Sequence, residues 1–426
     1  MKQLISWFSV VYVSMVLPAQ VKAQDSTVLT LEKAYQLARE HYPLIKQRLL
    51  VSRNTALALQ NISKSWLPQA SLSGQATYQS DVPGIPVKIP GFDIEQPSKD
   101  QYRITAEVNQ LLYDGGSAAA QKNVQQASSK VELQRAEVDL YKVKERINQL
   151  YLGILLLDEQ LKQTELVKKD IQRGIKRVEA QVQYGTAFRS NLLTLQAELL
   201  KTGQREIELR ANRKGLIDVL SVYVNQPLRE TVQLQKPVWD QPVSAAINRP
   251  ELALFQYQDS LLHVQKQLIN ARNRPRTSLF VQGGYGRPGL NMLKNEFEFF
   301  YIGGLRLNWS LGNLYTARKE KEMLAINQQM LGVQKDVFLL NTNAQLSQQQ
   351  AEIQKLEALI ATDREIIAVR QQVKEAAHAQ LQNGVITASD YLSEVNAEDQ
   401  ARLTLIAHEL QLLQARINYQ TIAGNQ

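Results

Sequence analysis

The chain has few side chains whose type and spacing could perform chemistry. Its 426 residues include no Cys, which excludes a cysteine nucleophile, thiolate metal ligands and disulfides. No HExxH, GxSxG or Walker motif occurs, and the glycine-rich stretch 283–286 belongs to a predicted strand, not to a phosphate-binding loop. The four histidines are scattered, which does not favour a metal site: His41, His263, His378 and His408. The sequence therefore predicts a protein that is not an enzyme and holds no cofactor.

Two similar turns stand out as candidate functional segments because each joins a very long helical stretch to a shorter one. Gly185 and Gly384 can adopt the left-handed backbone that a tight turn between antiparallel helices needs. Ser190 and Ser389 are predicted to cap the helices that return from these turns. Asp390 follows the second turn. Its carboxylate has one simple interpretation, a favourable interaction with the start of a helix.

The N-terminus has the features of a secretory signal peptide. Residues 1–23 contain Lys2, an apolar run from Leu4 to Leu17, a break at Pro18 and a predicted cleavage site after Ala23. With no Cys, lipid attachment at an N-terminal Cys is excluded. No later segment reaches the length of an apolar membrane-spanning helix. The net charge of +8 is spread over 90 charged side chains and does not favour nucleic-acid binding.

The chain contains an internal repeat of about 200 residues. The same spacing separates Pro43 from Pro250 and Pro68 from Pro275, and each second proline introduces a predicted strand pair and then a Gly turn. A long helical stretch follows in both halves. We therefore predict two structural repeats after the signal peptide, residues 24–240 and 241–426.

Four predicted strands alternate between apolar and polar side chains. They cover residues 69–79 and 102–112 in the first repeat, and 277–285 and 299–309 in the second. Their length of about 11 residues fits a membrane-spanning β-strand. Aromatic residues near the strand ends fit an interfacial girdle: Tyr102, Tyr113, Phe299 and Trp309. A soluble sheet with one wet face is the alternative. Because four strands cannot close a barrel, the membrane interpretation needs several chains to share their strands.

The remaining sequence is predicted to be mostly helical. Residues 117–183 and 315–382 contain no Pro and would form helices of roughly 100 Å at 1.5 Å per residue. Apolar residues repeat at heptad spacing, as in Leu140, Ile147 and Ile154, which indicates coiled-coil packing. Two shorter helices placed end to end could cover each long helix. These shorter helices are predicted at roughly 30–65, 190–222, 248–272 and 389–420.

In these features the chain resembles the TolC family of outer-membrane efflux channels over nearly its whole mature length. The resemblance rests on Pro68, on the strand end 111–116, and on the two turns 184–193 and 383–392 in the same order. It implies a mostly α fold with β, a duplicated α-helical barrel, and four strands per chain in a homotrimeric 12-stranded transmembrane β-barrel. The implied location is the outer membrane and periplasm. The implied function is passive conduction for a tripartite efflux or type I secretion system.

The resemblance also assigns roles to both turns. They would dock a periplasmic adaptor protein, which in turn links the channel to a proton-driven or ABC transporter in the inner membrane. The docking residues would be Gly185, Thr186, Ala187, Phe188, Gly384, Val385, Ile386 and Thr387. Asp390 matches a family position in the acidic ring at the periplasmic entrance. The second acidic position holds Ser393, with Glu394 adjacent, and Asn191 replaces the acid in the first repeat. The alternatives are a periplasmic coiled-coil adaptor, which would lack the strand pairs, and a soluble coiled-coil filament.

Overall fold

The computed structural model describes residues 28–83, 97–238, 246–292 and 294–425. The predicted signal peptide and the predicted boundary between the repeats lie outside these residues. The chain is mostly helical with a four-stranded antiparallel sheet at one end, so the predicted fold class is confirmed. In chain order its helices are α1 (Leu31–His41), α2 (Leu44–Ser63), α3 (Ser117–Gln183), α4 (Arg189–Val224), α5 (Pro250–Arg272), α6 (Asn313–Gln382) and α7 (Ala388–Ala423). Its strands are β1 (Val28–Leu29), β2 (Gln69–Tyr78), β3 (Asp100–Tyr113), β4 (Gln233–Leu234), β5 (Arg276–Arg287) and β6 (Glu298–Asn308).

The two long helices, α3 and α6, run the length of the helical part. They contain 67 and 70 residues, or roughly 100 Å each at 1.5 Å per residue. Helices α2 and α5 pack on α3 near the sheet, whereas α4 and α7 pack on it towards the opposite end. None of the helices in the described ranges is long and apolar enough to cross a membrane.

The main hydrophobic core surrounds Tyr151, which lies about halfway along α3. Its ring is fully buried among side chains from α1, α3, α4 and α7. Its hydroxyl lies 2.7 Å from the carbonyl oxygens of both Leu29 and Gln235. These two carbonyls belong to the short parallel pair of β1 and β4 or follow it directly. The contact therefore fastens the beginning of the described chain to the segment after α4, an arrangement that the sequence did not predict.

The four longer strands form one antiparallel sheet in the order β2-β3-β5-β6. Strands β3 and β5 come from different predicted repeats and pair along their length. One side of the sheet, the apolar face, carries exposed residues such as Leu305 and Phe299, which are 70% and 87% exposed. The other side, the polar face, carries Ser73, Thr105 and Glu107, and Thr105 is only 7% exposed. The sheet therefore exposes its apolar face and collects its polar side chains on the opposite face, where Thr105 is buried and Ser73 is exposed. A soluble sheet instead covers its apolar face.

Two local predictions were wrong. The predicted helix over residues 30–65 is two helices, since α1 ends at His41 and α2 begins at Leu44. Pro43 lies at this break, where its ring and its missing N–H do not allow an uninterrupted helix. Neither Ser190 nor Ser389 is an N-cap, because α4 begins at Arg189 and α7 at Ala388, so each serine is already the second residue of its helix.

Candidate functional site

The two turns that connect α3 to α4 and α6 to α7 lie at the end of the chain opposite the sheet and have the same backbone geometry. Gly185 and Gly384 have φ angles of 74° and 70°. The next residue in each turn, Thr186 or Val385, donates its N–H to a carbonyl one turn back in the long helix, at 2.8 Å and 2.9 Å. A Cβ at either glycine would meet no atom within 4 Å, so glycine is required here by its backbone angle alone.

These turns, which we call the tip, expose large apolar side chains. Phe188 and Val385 are 79% and 70% exposed, and the neighbouring Tyr184 is also exposed although the sequence did not single it out. Gly185, Thr186, Gly384 and Thr387 are exposed as well, whereas Ala187 is half-buried. The predicted exposure of Ile386 was wrong. Its side chain packs against the buried cluster behind the tip, because the return into α7 points it inwards.

Asp390 forms a capping box with Thr387 at the start of α7. Its Oδ2 accepts hydrogen bonds from the Thr387 backbone N–H at 2.9 Å and from the Thr387 hydroxyl at 2.7 Å. In return, Thr387 Oγ1 accepts the Asp390 N–H at 3.2 Å. The Thr387 hydroxyl and then its N–H lower the pKa of the fully exposed Asp390 carboxyl, which therefore stays ionised at neutral pH. Thr387 is thus the cap that the sequence assigned to Ser389.

The other predicted entrance residues lie close to these two helix starts. Ser393 is exposed on α7, one turn after Asp390. Glu394 is half-buried and lies 3.4 Å from Arg370 of α6, so its charge is paired within the chain. Asn191 lies in the first turn of α4, where its N–H donates to the carbonyl of Phe188 at 3.0 Å. Asp390 therefore stands apart as the exposed carboxylate of this set.

The four predicted girdle residues lie near the two ends of the sheet. Tyr102 and Phe299 are at the end away from the helices, and the ring of Tyr102 stacks on Phe297 at 6.4 Å between centroids. Tyr113 and Trp309 are at the end next to the helices, where Trp309 Nε1 donates to the Asn273 carbonyl at 2.9 Å. All four are exposed. Whether they act as an interfacial girdle stays a prediction, which needs exposed aromatic residues at both ends of the strands.

A buried charge cluster lies behind the tip. Lys374 of α6 lies 3.1 Å from Asp170 of α3 and 2.5 Å from Glu398 of α7, and Arg402 lies 2.6 Å from the same glutamate. The Glu398 side chain is only 5% exposed. Burial opposes its ionisation, but hydrogen bonds from Lys374 and Arg402 outweigh burial and lower the pKa of Glu398. The cluster joins three helices through charge-assisted hydrogen bonds.

Comparison with known proteins agrees with this arrangement. The sequence profile of the outer membrane efflux protein family matches residues 34–215. This match covers 182 of the 426 residues, so this part of the chain is similar to that family. Over 93% of the chain, the fold matches CusC, with 14% identity, a TM-score of 0.69 and 92% of that chain covered. Over the same share it matches VceC from Vibrio cholerae, with 13% identity, a TM-score of 0.66 and 96% of that chain covered. It also matches the open state of the outer membrane channel MtrE from Neisseria gonorrhoeae over the same share, with 12% identity, a TM-score of 0.65 and 89% of that chain covered. Comparison with curated protein sequences gives no significant match.

The chain thus has the fold that the sequence predicted. Among the described residues, no group of His, Asp or Glu is arranged to hold a metal ion. The buried cluster around Lys374 was missed by the sequence analysis. One signal was available, because Glu398 continues the four-and-three spacing of Tyr391 and Val395 and so puts a carboxylate at a core position of α7.

Proposed function

We propose that three copies of this chain form a channel in the outer membrane that conducts cargo passively to the exterior. The observation that carries the proposal is the sheet, which exposes its apolar face and collects its polar side chains on the opposite face. In water this arrangement would leave a large apolar surface uncovered. In a membrane the apolar face meets lipid and the polar face lines a water-filled passage.

The two edge strands support a shared barrel. Strands β2 and β6 each pair on one side only within the described chain. Unpaired backbone groups are not tolerated in lipid, so β2 of one copy must pair with β6 of the next. Three copies supply 12 strands, the even number expected of an antiparallel barrel built from repeated units.

An exposed apolar stripe on α6 supports association along the helices. Its members recur at spacings of three and four residues, as a coiled-coil partner requires: Met323, Ile326, Met330, Val333, Val337 and Leu340. Helix α2 has no buried residue and exposes Leu49, Leu50 and Leu57. Since α2 and α6 do not pack on each other in one chain, the stripe of one copy is available to α2 of another.

The two ends of the molecule then have different roles. The signal peptide exports the chain and is cleaved after Ala23, without lipidation. The tip projects into the periplasm and docks an adaptor protein through Phe188, Val385 and the exposed residues around them. The adaptor connects the channel to an inner-membrane transporter, driven by protons or ATP, that supplies the energy. Three copies of Asp390 surround the entrance and favour cations there.

The test joins oligomer mass to conductance in one preparation. Detergent-extracted protein is expected to be a trimer that opens small channels in planar bilayers. Val333→Glu places charge in the stripe and is expected to yield monomers without conductance. Gln329→Glu adds the same charge outside the stripe and should leave the trimer intact. A water-soluble wild-type protein that gives no conductance would overturn the proposal and favour the adaptor alternative.

A further inference from the structure

The polar face of the sheet carries an excess of arginine. Residues opposite each other in the strand register share a face, which assigns five charged strand residues to this side: Arg103, Glu107, Arg276, Glu298 and Arg306. The apolar face carries one charged pair, Asp100 with Arg287, at the end away from the helices. The charges that would face a water-filled passage are therefore concentrated on the polar face.

Both carboxylates on the polar face already have a cationic partner. Glu107 lies 2.9 Å from Arg306, and Glu298 lies 2.9 Å from Lys294 in the hairpin between β5 and β6. Arg103 and Arg276 make no ion pair with any carboxylate in the part of the chain that the structure describes. Two guanidinium groups per chain are thus left without a countercharge.

Arg103 is held against the wall by an aromatic ring. Its guanidinium carbon lies 5.6 Å from the centroid of the Phe300 ring. The ring lies flat over Gly284, where an added Cβ would come within 2.4 Å of the ring edge. A second arginine repeats the arrangement, with Arg306 lying 4.4 Å from the centroid of Phe280. Because Arg306 also pairs with Glu107, Arg103 is the arginine of the two that remains available to a passing anion.

We propose that the polar face of the sheet is an anion-selective wall, in which Arg103 on Phe300 is the principal residue that recognises negatively charged cargo. This inference rests on the proposed trimer, because only a closed barrel turns the polar face towards a passage. Three copies of Arg103 then form a ring near the outer end, and three copies of Arg276 form another about 33 Å away, ten residues further along the strands. Rings of arginine favour anions by the same electrostatics through which rings of aspartate favour cations.

The cargo that this wall favours is therefore anionic, whereas the Asp390 ring at the opposite end of the channel favours cations. A guanidinium group binds carboxylate, phosphate and sulfonate through paired N–H donors. The Phe300 ring limits the motion of Arg103, so less side-chain entropy is lost when an anion binds. Lysine at this position would keep the charge but lose the planar stacking.

The test measures the chloride-to-potassium permeability ratio from reversal potentials in a salt gradient across planar bilayers. Measurements are made in the Asp390→Ala background, which removes the acidic ring at the other end. Arg103→Gln is expected to lower the ratio about twofold at low salt, where surface charges are least screened. Arg103→Lys is expected to restore most of the ratio. Gln75→Arg, in the same register row on β2, is expected to raise it.

The outcomes separate this inference from the proposed function. The anion-selective wall alone would be overturned if every variant conducts and neither Arg103→Gln nor Gln75→Arg changes the permeability ratio. Absence of conductance from every variant, including Asp390→Ala by itself, would overturn the channel and the wall together. If Arg103→Gln fails to form trimers, an unchanged ratio for Gln75→Arg is still sufficient to reject the inference.

Discussion

Replacing Lys374 by Met should destabilise the tip end of the channel, because it leaves two carboxylates without their shared cation. Methionine has a similar length and is apolar, so the change removes the charge with little loss of packing volume. Lys374 lies 3.1 Å from Asp170 and 2.5 Å from Glu398, and these contacts join α6 to α3 and α7. Of the ion pairs in the cluster, those of Lys374 link α6 to both α3 and α7, whereas that of Arg402 stays within α7.

The expected loss follows from the partners that remain. Breaking a buried ion pair by removing one member costs about 3–5 kcal/mol. Lys374 is one-fifth exposed, Glu398 keeps Arg402 at 2.6 Å, and Asp170 keeps Arg173 at 3.2 Å, so water and these cations offset part of the loss. We therefore expect about 2 kcal/mol per chain, or about 2 °C in melting temperature for a unit of this length.

The assay is thermal unfolding of the detergent-solubilised protein at neutral pH. Lys355→Met is the matched control, because Lys355 lies on the same helix in an exposed ion pair with Glu352 and should change stability by less than about 0.5 kcal/mol. Glu398→Gln added to Lys374→Met should recover part of the loss. Equal melting temperatures for Lys374→Met and Lys355→Met would refute the role assigned to the cluster.

The pH dependence of the same variant has a definite sign. The pKa of Glu398 is lower in the folded protein than its ordinary value, because the hydrogen bonds from Lys374 and Arg402 outweigh burial. Its contribution to stability is therefore present above the ordinary glutamate pKa and is lost as pH falls through the lowered value. The melting temperatures of wild type and Lys374→Met should converge in acid, and a constant difference down to strong acid would contradict this assignment.

Three further predictions concern the tip. Asp390→Ala should raise single-channel conductance, by about 1.5-fold or more, by removing the acidic ring, and should weaken the start of α7 by removing half of the capping box with Thr387. Unchanged conductance and cation selectivity would remove the entrance role. His378 lies 2.9 Å from Arg177, and its pKa is lowered first by burial and then by this arginine. The melting temperature should therefore fall as pH drops below about 6.5, and it should fall less in His378→Gln. If wild type and His378→Gln lose melting temperature equally with falling pH, His378 is not the cause. Phe188→Ser should weaken adaptor binding in pull-down assays at least about tenfold without changing trimer mass, because a large exposed aromatic side chain is a typical binding hot spot; full binding would exclude it from the docking surface.

The strand assignment shows how much a local pattern can predict. Alternation of apolar and polar side chains located all four long strands to within a few residues, because the two faces of a strand meet different surroundings. The same alternation gave no information on β1 and β4. These strands are two residues long, and they exist because buried Tyr151 holds both segments in the core.

The turns show a similar division. Glycine at positions 185 and 384 predicted the left-handed turns, because few other residues adopt positive φ without strain. The cap of α7 was assigned to Ser389, although Thr387 and Asp390 are spaced as in a capping box. The inward position of Ile386 depends on the packing of α7 against α3, which lies far away in the sequence.

The sequence by itself predicted most of the helices and the long strands, because each depends on the order and spacing of nearby residues. Tertiary structure alone decided which distant charges meet. Lys374 reaches Asp170 across about 200 positions because the long helices α3 and α6 run side by side in the same direction. Arg306 reaches Glu107 across a similar separation because strands from both predicted repeats share one sheet. Periodicity describes one element at a time. It therefore identified the faces of the strands and helices but not the ion pairs formed where those faces meet.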